Sequence, residues 1–427
     1  MSLLITDVTL LAPGAALHHQ VVNVLIEEGK IRSIGSERPS AAQVVDGTGC
    51  MLSPGWVDLR CLVSEPGGEH RESVESACLA AAAGGFTAVV TLPNTQPVVQ
   101  TKDLLTSLRS RSEAYPAQLW PMGALSVNTE GEIITEMIDL HRHGAVAFTD
   151  GLRPVQSADL MVKALLYLKQ FGGLLVNRAE NQALTRYGVM HEGIQSTMLG
   201  MKGIPPLAEY TQVARDLSLL EYTGGRLHFS TLSSAQSVAL IREAKQRGLQ
   251  VTCDVAAHQL AFDDTALQDF DTNYKVNPPF RTQDDVQALR EGLADGTIDA
   301  IVSDHLPLDP EAKQLEFDLA DFGITGLETA YAVAQQHSGL SAEQLVEKLA
   351  LAPRRILQMP AVEIAPGQPA NLTLFDPKRT WTYEARHAFS QSLNSPFLGK
   401  TLRGKPLAVV RGTHFYHDAQ HLDVKSA

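Results

Sequence analysis

The sequence predicts an α/β protein: a closed (β/α)8 barrel of the TIM type with a small β-sandwich domain built from both chain ends. Three observations carry this. From Trp56 onward, short apolar runs alternate eight times with helical stretches, the signature of parallel βα units. Eight such units over about 250–300 residues suit a closed barrel better than an open doubly wound sheet. No Gly-x-Gly-x-x-Gly follows the first strand, which removes the usual sign of a dinucleotide fold.

Residues 1–53 hold alternating runs such as Val22-Asn23-Val24-Leu25-Ile26 and Lys30-Ile31-Arg32-Ser33-Ile34, separated by turn residues, and read as short antiparallel strands. The barrel, residues 54–360, has its strands at Trp56–Arg60, Thr87–Pro93, Gln118–Leu125, Ala145–Asp150, Gly173–Arg178, Arg226–Thr231, Val251–Val255 and Ile298–Asp304. Between them, Ser157 opens a helix that stops at Gly172-Gly173, and Ser341 with Gln344 three residues on forms a capping box. Residues 361–427, with Gly367-Gln368-Pro369-Ala370-Asn371-Leu372-Thr373, return as strands that complete the sheet begun at the N-terminus. About 60 residues are too few for a core of their own.

With 427 residues, 44% of them hydrophobic, the chain can bury a large core. Its net charge of −13 comes without basic runs, which argues against nucleic acid or an acidic membrane surface as partner. The N-terminus has no charged leader and no apolar run approaches the ~20 residues of a membrane helix, so the expected location is the cytoplasm. Cys50, Cys61, Cys78 and Cys253 lie far apart and read as reduced, buried thiols.

In such a barrel the chemistry sits at the C-terminal ends of the strands. Here those positions hold Arg60, Asn94, Asp150, Arg178, Thr231 and Asp304. Blocks around them include Pro54-Gly55-Trp56-Val57-Asp58, Glu65-Pro66-Gly67, Pro93-Asn94-Thr95, Asn277-Pro278-Pro279-Phe280-Arg281, Ser303-Asp304-His305, Phe322-Gly323-Ile324-Thr325-Gly326-Leu327-Glu328-Thr329 and Asn394-Ser395-Pro396-Phe397. In these blocks and their order the chain resembles a class I dihydroorotase, of the metal-dependent amidohydrolase superfamily, over nearly its whole length.

The resemblance implies a binuclear zinc site, and carried over residue by residue that site is degenerate. The two first-strand histidines fall on Arg60 and Leu62, the fifth-strand histidine on Arg178, and the sixth-strand histidine on Thr231. The bridging aspartate lands on Gly151, or on Asp150 with a one-residue shift, and only the eighth-strand Asp304 survives, as a vestigial base. The implied substrate pocket keeps Asn94, Asn277, His305, Phe322 and Gly323, while its carboxylate-gripping arginine is Ser64 and a histidine is Leu308. A guanidinium has no lone pair to give a metal, and without zinc the pKa of water stays near ~16 rather than ~7. Arg60 or Arg178 is therefore expected to pair with Asp304 or Asp150 where the metal would sit.

The other histidines do not replace the lost ligands. His141-Arg142-His143 lies in the last turn of a helix, on the wrong face of the barrel, and His18-His19, His228 and His258 show no paired ligand spacing. His228 is expected to hydrogen-bond inside the barrel. No metal and no cofactor are expected. The resemblance then implies a non-catalytic relative, not an enzyme, that supports aspartate transcarbamoylase in pyrimidine synthesis, as six chains with six in a dodecamer, and that also self-associates as a homodimer. Two alternatives remain: a weakly active or divergent cyclic amidohydrolase of the dihydroorotase or hydantoinase kind, and a regulator that binds a carbamoyl or carboxylate metabolite.

Overall fold

The computed structural model describes residues 2–426. Eight parallel strand segments follow one another around the barrel: Trp56–Cys61, Phe86–Thr91, Gln118–Pro121 bending at Met122 into Gly123–Ala124, Phe148–Thr149, Leu175–Arg178, Leu227–Ser230, Val251–Ala256 and Ala300–Val302. A parallel bridge between Cys61 and His305, reinforced by the Leu62 N–H donating to the His305 carbonyl at 2.8 Å, joins the last strand to the first and closes the ring. Each run read as a strand from the sequence overlaps one of these segments, with ends that differ by one or more residues. The fourth is the shortest ladder, because its flanks are held by single bonds such as Gly123 N–H to the Ala147 carbonyl at 3.0 Å.

The alternation of side chains along each strand separates two cores. Val57, Leu59, Ala88, Val90, Met122, Val176, Ala300 and Val302 fill the barrel interior. Their neighbours Val89, Leu119, Phe148, Leu175, Leu227, Phe229 and Ile301 face outward onto the helices. The helix Ala158–Lys169 begins at Ser157, whose hydroxyl accepts from the Leu160 N–H at 3.2 Å. Ser341 and Gln344 form the expected reciprocal box, at 3.2 and 2.9 Å.

Both chain ends share one nine-stranded sheet. Its main path runs from His414–His417 through Thr401–Arg411, Asn371–Thr382, Met51–Pro54, Ser2–Leu10 and Val21–Glu27 to Lys30–Gly35. The pairing of Leu372 with Pro54 and Leu374 with Leu52 stitches the tail to the strand that leads into the barrel. A separate apolar cluster, with Leu3, Ile5, Val24, Ile26, Leu372 and Val410, forms its core. The four cysteines are free and buried, as expected. Among the described residues, no helix is long and apolar enough to cross a membrane.

The tail also reaches the barrel mouth. The Asn394 amide donates to the Leu306 and Gly323 carbonyls at 3.0 and 3.1 Å, and its oxygen accepts from the Leu308 N–H at 3.1 Å. The Asn-Ser-Pro-Phe block thus fixes the loop that follows the eighth strand.

Candidate functional site

Arg60 leaves the first strand and Asp304 follows the eighth, so ring closure makes them neighbours. The Arg60 Nε donates to Asp304 Oδ1 at 2.6 Å, with the side chains 1% and 3% exposed. This is one of the ion pairs expected from the sequence. The contact is single, and Arg60 Nη2 is buried without a partner.

Arg178 departs from the expectation. It pairs with Glu180 at 2.7 Å rather than with Asp304 or Asp150, because Glu180, two residues on, also faces the mouth. Asn277 donates to the same Glu180 at 3.0 Å, which ties the loop after the seventh strand to the fifth. Arg178 Nε is buried without a partner. Asp150 turns away from the mouth, accepting from the Ser126 N–H and hydroxyl at 2.8 and 2.6 Å, and burial holds its carboxyl above the usual range. Gly151 has φ +63°, and a Cβ there would meet Asn94 Oδ1 at 1.9 Å, so the backbone leaves no room for an aspartate in this arrangement. Asn94 itself binds loop backbone, donating to the Asp150 carbonyl at 3.1 Å and accepting from Leu152 at 2.9 Å.

Thr231 ends the sixth strand with φ +56°, a region a β-branched residue rarely enters. Its N–H donates to Asp254 Oδ1 at 2.6 Å, and His228 holds the other oxygen at 2.8 Å. His228 therefore hydrogen-bonds inside the barrel, as expected. Asp304 is also left-handed, with φ +46°. Strain of this kind persists only where the surroundings over-determine it, and it gathers at functional sites.

His258, just after the seventh strand, was passed over in sequence because no spacing pairs it with another ligand. Its Nε2 lies 4.0 Å from Asp304 Oδ2, buried without a partner. Burial lowers its pKa to about 4, only partly opposed by the Asp304 charge, so the ring is neutral at pH 7. His305 is a structural clasp. Its Nδ1 accepts from the Gly326 N–H at 3.2 Å, leaving Nε2 to donate to buried Glu72 at 3.1 Å. Of the other pocket positions, Leu62 joins the apolar interior, Ser64 is buried with an unpartnered hydroxyl, Leu308 is fixed by Asn394, Phe322 lies under Lys275 and Gly323 donates to the Lys275 carbonyl. His141 packs tilted against Phe171 and His143 bonds its own helix, so neither is placed as a ligand.

This donor set does not fit a binuclear zinc centre. Two of the four histidine positions hold guanidinium groups already engaged by carboxylates, one holds an apolar side chain, and the Thr231 hydroxyl donates to the Ser230 carbonyl at 2.8 Å. Beside these positions, the cavity bounded by Arg178, Glu180, Thr231, Asn277 and Arg281 has about 10 Å³, room for about one water; neither Arg60 nor Asp304 lines it.

Residues 49–237 match the family described as dihydro-orotase-like. A protein named Dihydroorotase from Pelotomaculum thermopropionicum is 42% identical over 417 residues, 96% of this chain and 97% of that one. A Dihydroorotase from Geobacter metallireducens is 39% identical, covering 96% and 98%. This chain belongs to the dihydroorotase-like family. Two solved structures share the fold at 22% identity: the L-hydantoinase (dihydropyrimidinase) from Arthrobacter aurescens, TM-score 0.85 over 97% of this chain and 96% of that one, and a D-hydantoinase, TM-score 0.83 over 100% and 97%.

These relatives correct one expectation. Loss of the zinc ligands suggested a protein that is not an enzyme, yet relatives about 40% identical over nearly the full length carry an enzyme's name. Loss of one way of activating water is not loss of all chemistry. Missing imidazoles remove a zinc-bound hydroxide. They do not remove the strained strand ends, the retained carboxylate or the unpartnered donors around it.

Proposed function

We propose that this chain is a divergent cyclic amidohydrolase of the dihydroorotase type, acting on a cyclic ureide such as dihydroorotate or on its opened carbamoyl acid in the cytoplasm, without the family's metal pair. The observation that carries the reading is the full-length similarity to named dihydroorotases, joined to an Asp304 kept on a left-handed backbone at the barrel mouth. In this reading the free N–H groups of Arg60 and Arg178 polarise the amide carbonyl in place of a Lewis acid. Asp304, with neutral His258 beside it, takes the proton of the attacking water as its oxygen bonds the carbonyl carbon, and returns it to the ring nitrogen as the C–N bond breaks. Polarisation by guanidinium does not lower the pKa of water as zinc does, so turnover slow by the family's standard is the expected outcome.

The test is interconversion of dihydroorotate and carbamoyl aspartate by homogeneous protein of measured metal content. Slow turnover that survives chelation and is abolished in Asp304→Asn supports the reading. No turnover of dihydroorotate, carbamoyl aspartate or hydantoin sinks it.

A second reading concerns partners and is compatible with the first: association with aspartate transcarbamoylase, or with a second copy of this chain. It is favoured by a set of exposed apolar side chains, Leu184, Tyr187, Ile194 and Met198, on the excursion between the fifth and sixth barrel strands. Co-purification with the transcarbamoylase of the same cell, weakened by Ile194→Asp with Met198→Asp, is its test. A transcarbamoylase that assembles and works alike with and without this chain removes it.

A further inference from the structure

We propose that His18, His19 and Glu343 form a surface site for one borderline divalent cation, of the zinc or nickel class, which clips the N-terminal sheet domain to the barrel. No sequence spacing points to it, since the two histidines stand more than three hundred residues from their carboxylate. Three donors converge here. His18 Nε2 lies 3.0 Å from Glu343 Oε1 and His19 Nε2 lies 3.2 Å from Oε2, and one ligand atom from each residue lies within 4.8 Å of the others. Donors about 2.0–2.2 Å from a tetrahedral ion stand ~3.3 Å apart, so the trio needs little movement to close on one.

The backbone brings the two rings together. Neighbouring residues in extended chain send their side chains to opposite sides. Here His19 adopts φ +63°, which swings its ring beside that of His18, with centroids 3.9 Å apart. The turn is pinned by His18 N–H to the Ala15 carbonyl at 3.1 Å and His19 N–H to the Leu10 carbonyl at 2.8 Å. A left-handed backbone at a residue other than glycine costs free energy, and what it achieves is to aim two imidazoles at one carboxylate.

Two imidazoles and one carboxylate suit zinc, nickel or copper and not calcium or magnesium, which take oxygen ligands. The fourth position faces solvent, because His19 and Glu343 are half exposed. One contact is given up. His18 Nδ1 accepts from the Ala12 N–H at 3.2 Å, so the neutral ring carries its proton on Nε2, and an ion bound there moves that proton to Nδ1 and ends the Ala12 bond. Glu343 sits in the first turn of the barrel helix Ala342–Val346, whereas His18 and His19 belong to the loop between the first two strands of the sheet. The ion therefore bridges the two parts of the molecule.

The test is titration of the metal-stripped full chain with zinc chloride by calorimetry, with melting temperature as a second readout. One zinc per chain, at least tenfold weaker in His19→Ala and in Glu343→Gln but unchanged in Asp304→Asn, supports the site. So does a zinc-dependent rise in melting temperature that both surface variants lose. The three side chains are peripheral, and circular dichroism checks that the variants fold. Zinc binding that is absent, or indifferent to both surface substitutions, leaves a hydrogen-bonded clasp only and overturns the proposal, whatever the activity at the barrel mouth proves to be.

Discussion

Removing Arg60 tests how the barrel mouth is held together. The Arg60 Nε to Asp304 Oδ1 contact is 2.6 Å long with both side chains almost fully buried. At an effective dielectric of about 20, two unit charges at that distance attract by roughly 6 kcal/mol. Taking each ion out of water costs several kcal/mol, and a single contact with Arg60 Nη2 unpartnered does not return all of it. The pair is therefore near neutral against an apolar replacement, yet breaking it is expensive, because the remaining charge stays buried. Arg60→Met should lower unfolding free energy by about 3–5 kcal/mol, and Asp304→Leu by a similar amount. The double variant Arg60→Met with Asp304→Leu should return to within about 1–2 kcal/mol of the native chain. Urea unfolding at pH 7 followed by circular dichroism measures all three. A single variant as stable as the native chain, or a double variant as weak as the singles, would refute the account of this pair as two buried charges that compensate each other.

His258 carries a pH signature. Its pKa is about 4 when folded against 6.5 for the free side chain, so the unfolded state binds the proton first and stability falls as pH drops from about 6.5 to about 4. That loss is about 3 kcal/mol at about 1.4 kcal/mol per pH unit, and His258→Gln should flatten the native curve by that much between pH 7 and 4. Asp58, raised by burial to about 7, runs the other way: its contribution is present below the unfolded value of 3.8 and is lost as pH climbs towards 7. Asp58→Asn should accordingly gain stability relative to the native chain as pH rises from 5 to 8, on top of a pH-independent offset from its altered bonds to Ser303. Gly151→Ala combines a positive φ with a Cβ 1.9 Å from Asn94 Oδ1, and should cost about 2 kcal/mol or more in the same unfolding assay; a cost under about 0.5 kcal/mol would show that the loop is freely adjustable.

The fold was legible because periodicity and punctuation act locally. Apolar runs such as Phe86–Thr91 and Val251–Ala256 have one reading, and Ser157 and Ser341 cap helices by contacts three residues away. The Arg60–Asp304 pair was legible for a topological reason, since a closed barrel sets its first strand beside its eighth and puts opposite charges at the two ends. What escaped depends on loop conformation or long separation. Asp150 turns to Ser126 because the neighbouring Gly151 takes φ +63°, and Glu180 captures Arg178 because both side chains of that short segment face the mouth. His258 lacks a ligand partner in sequence because its neighbour, Asp304, comes from the next strand. Its chemistry exists only after the ring has closed.

The backbone at the strand ends bears on why the site has this form. Thr231 and Asp304 occupy left-handed conformations that glycine would adopt without strain, and each is fastened by its surroundings. The Thr231 N–H is held by Asp254, itself fixed by His228, while the residues flanking Asp304 are locked by Ser303 to Asp58 and by His305 to Glu72. Such networks stay worth their desolvation only when every member is satisfied. Three exceptions lie at the mouth: Arg60 Nη2, Arg178 Nε and His258 Nε2 are buried without partners, while others such as Thr91 Oγ1 and Arg290 Nε lie elsewhere. A scaffold kept for shape alone would gain stability by relaxing these backbones and filling the mouth with apolar side chains, as Leu62 already does at one position. The strain at Thr231 and Asp304 and the unpartnered donors beside them are what the proposed polar site would use, and relaxing them is the change that a purely structural role would favour.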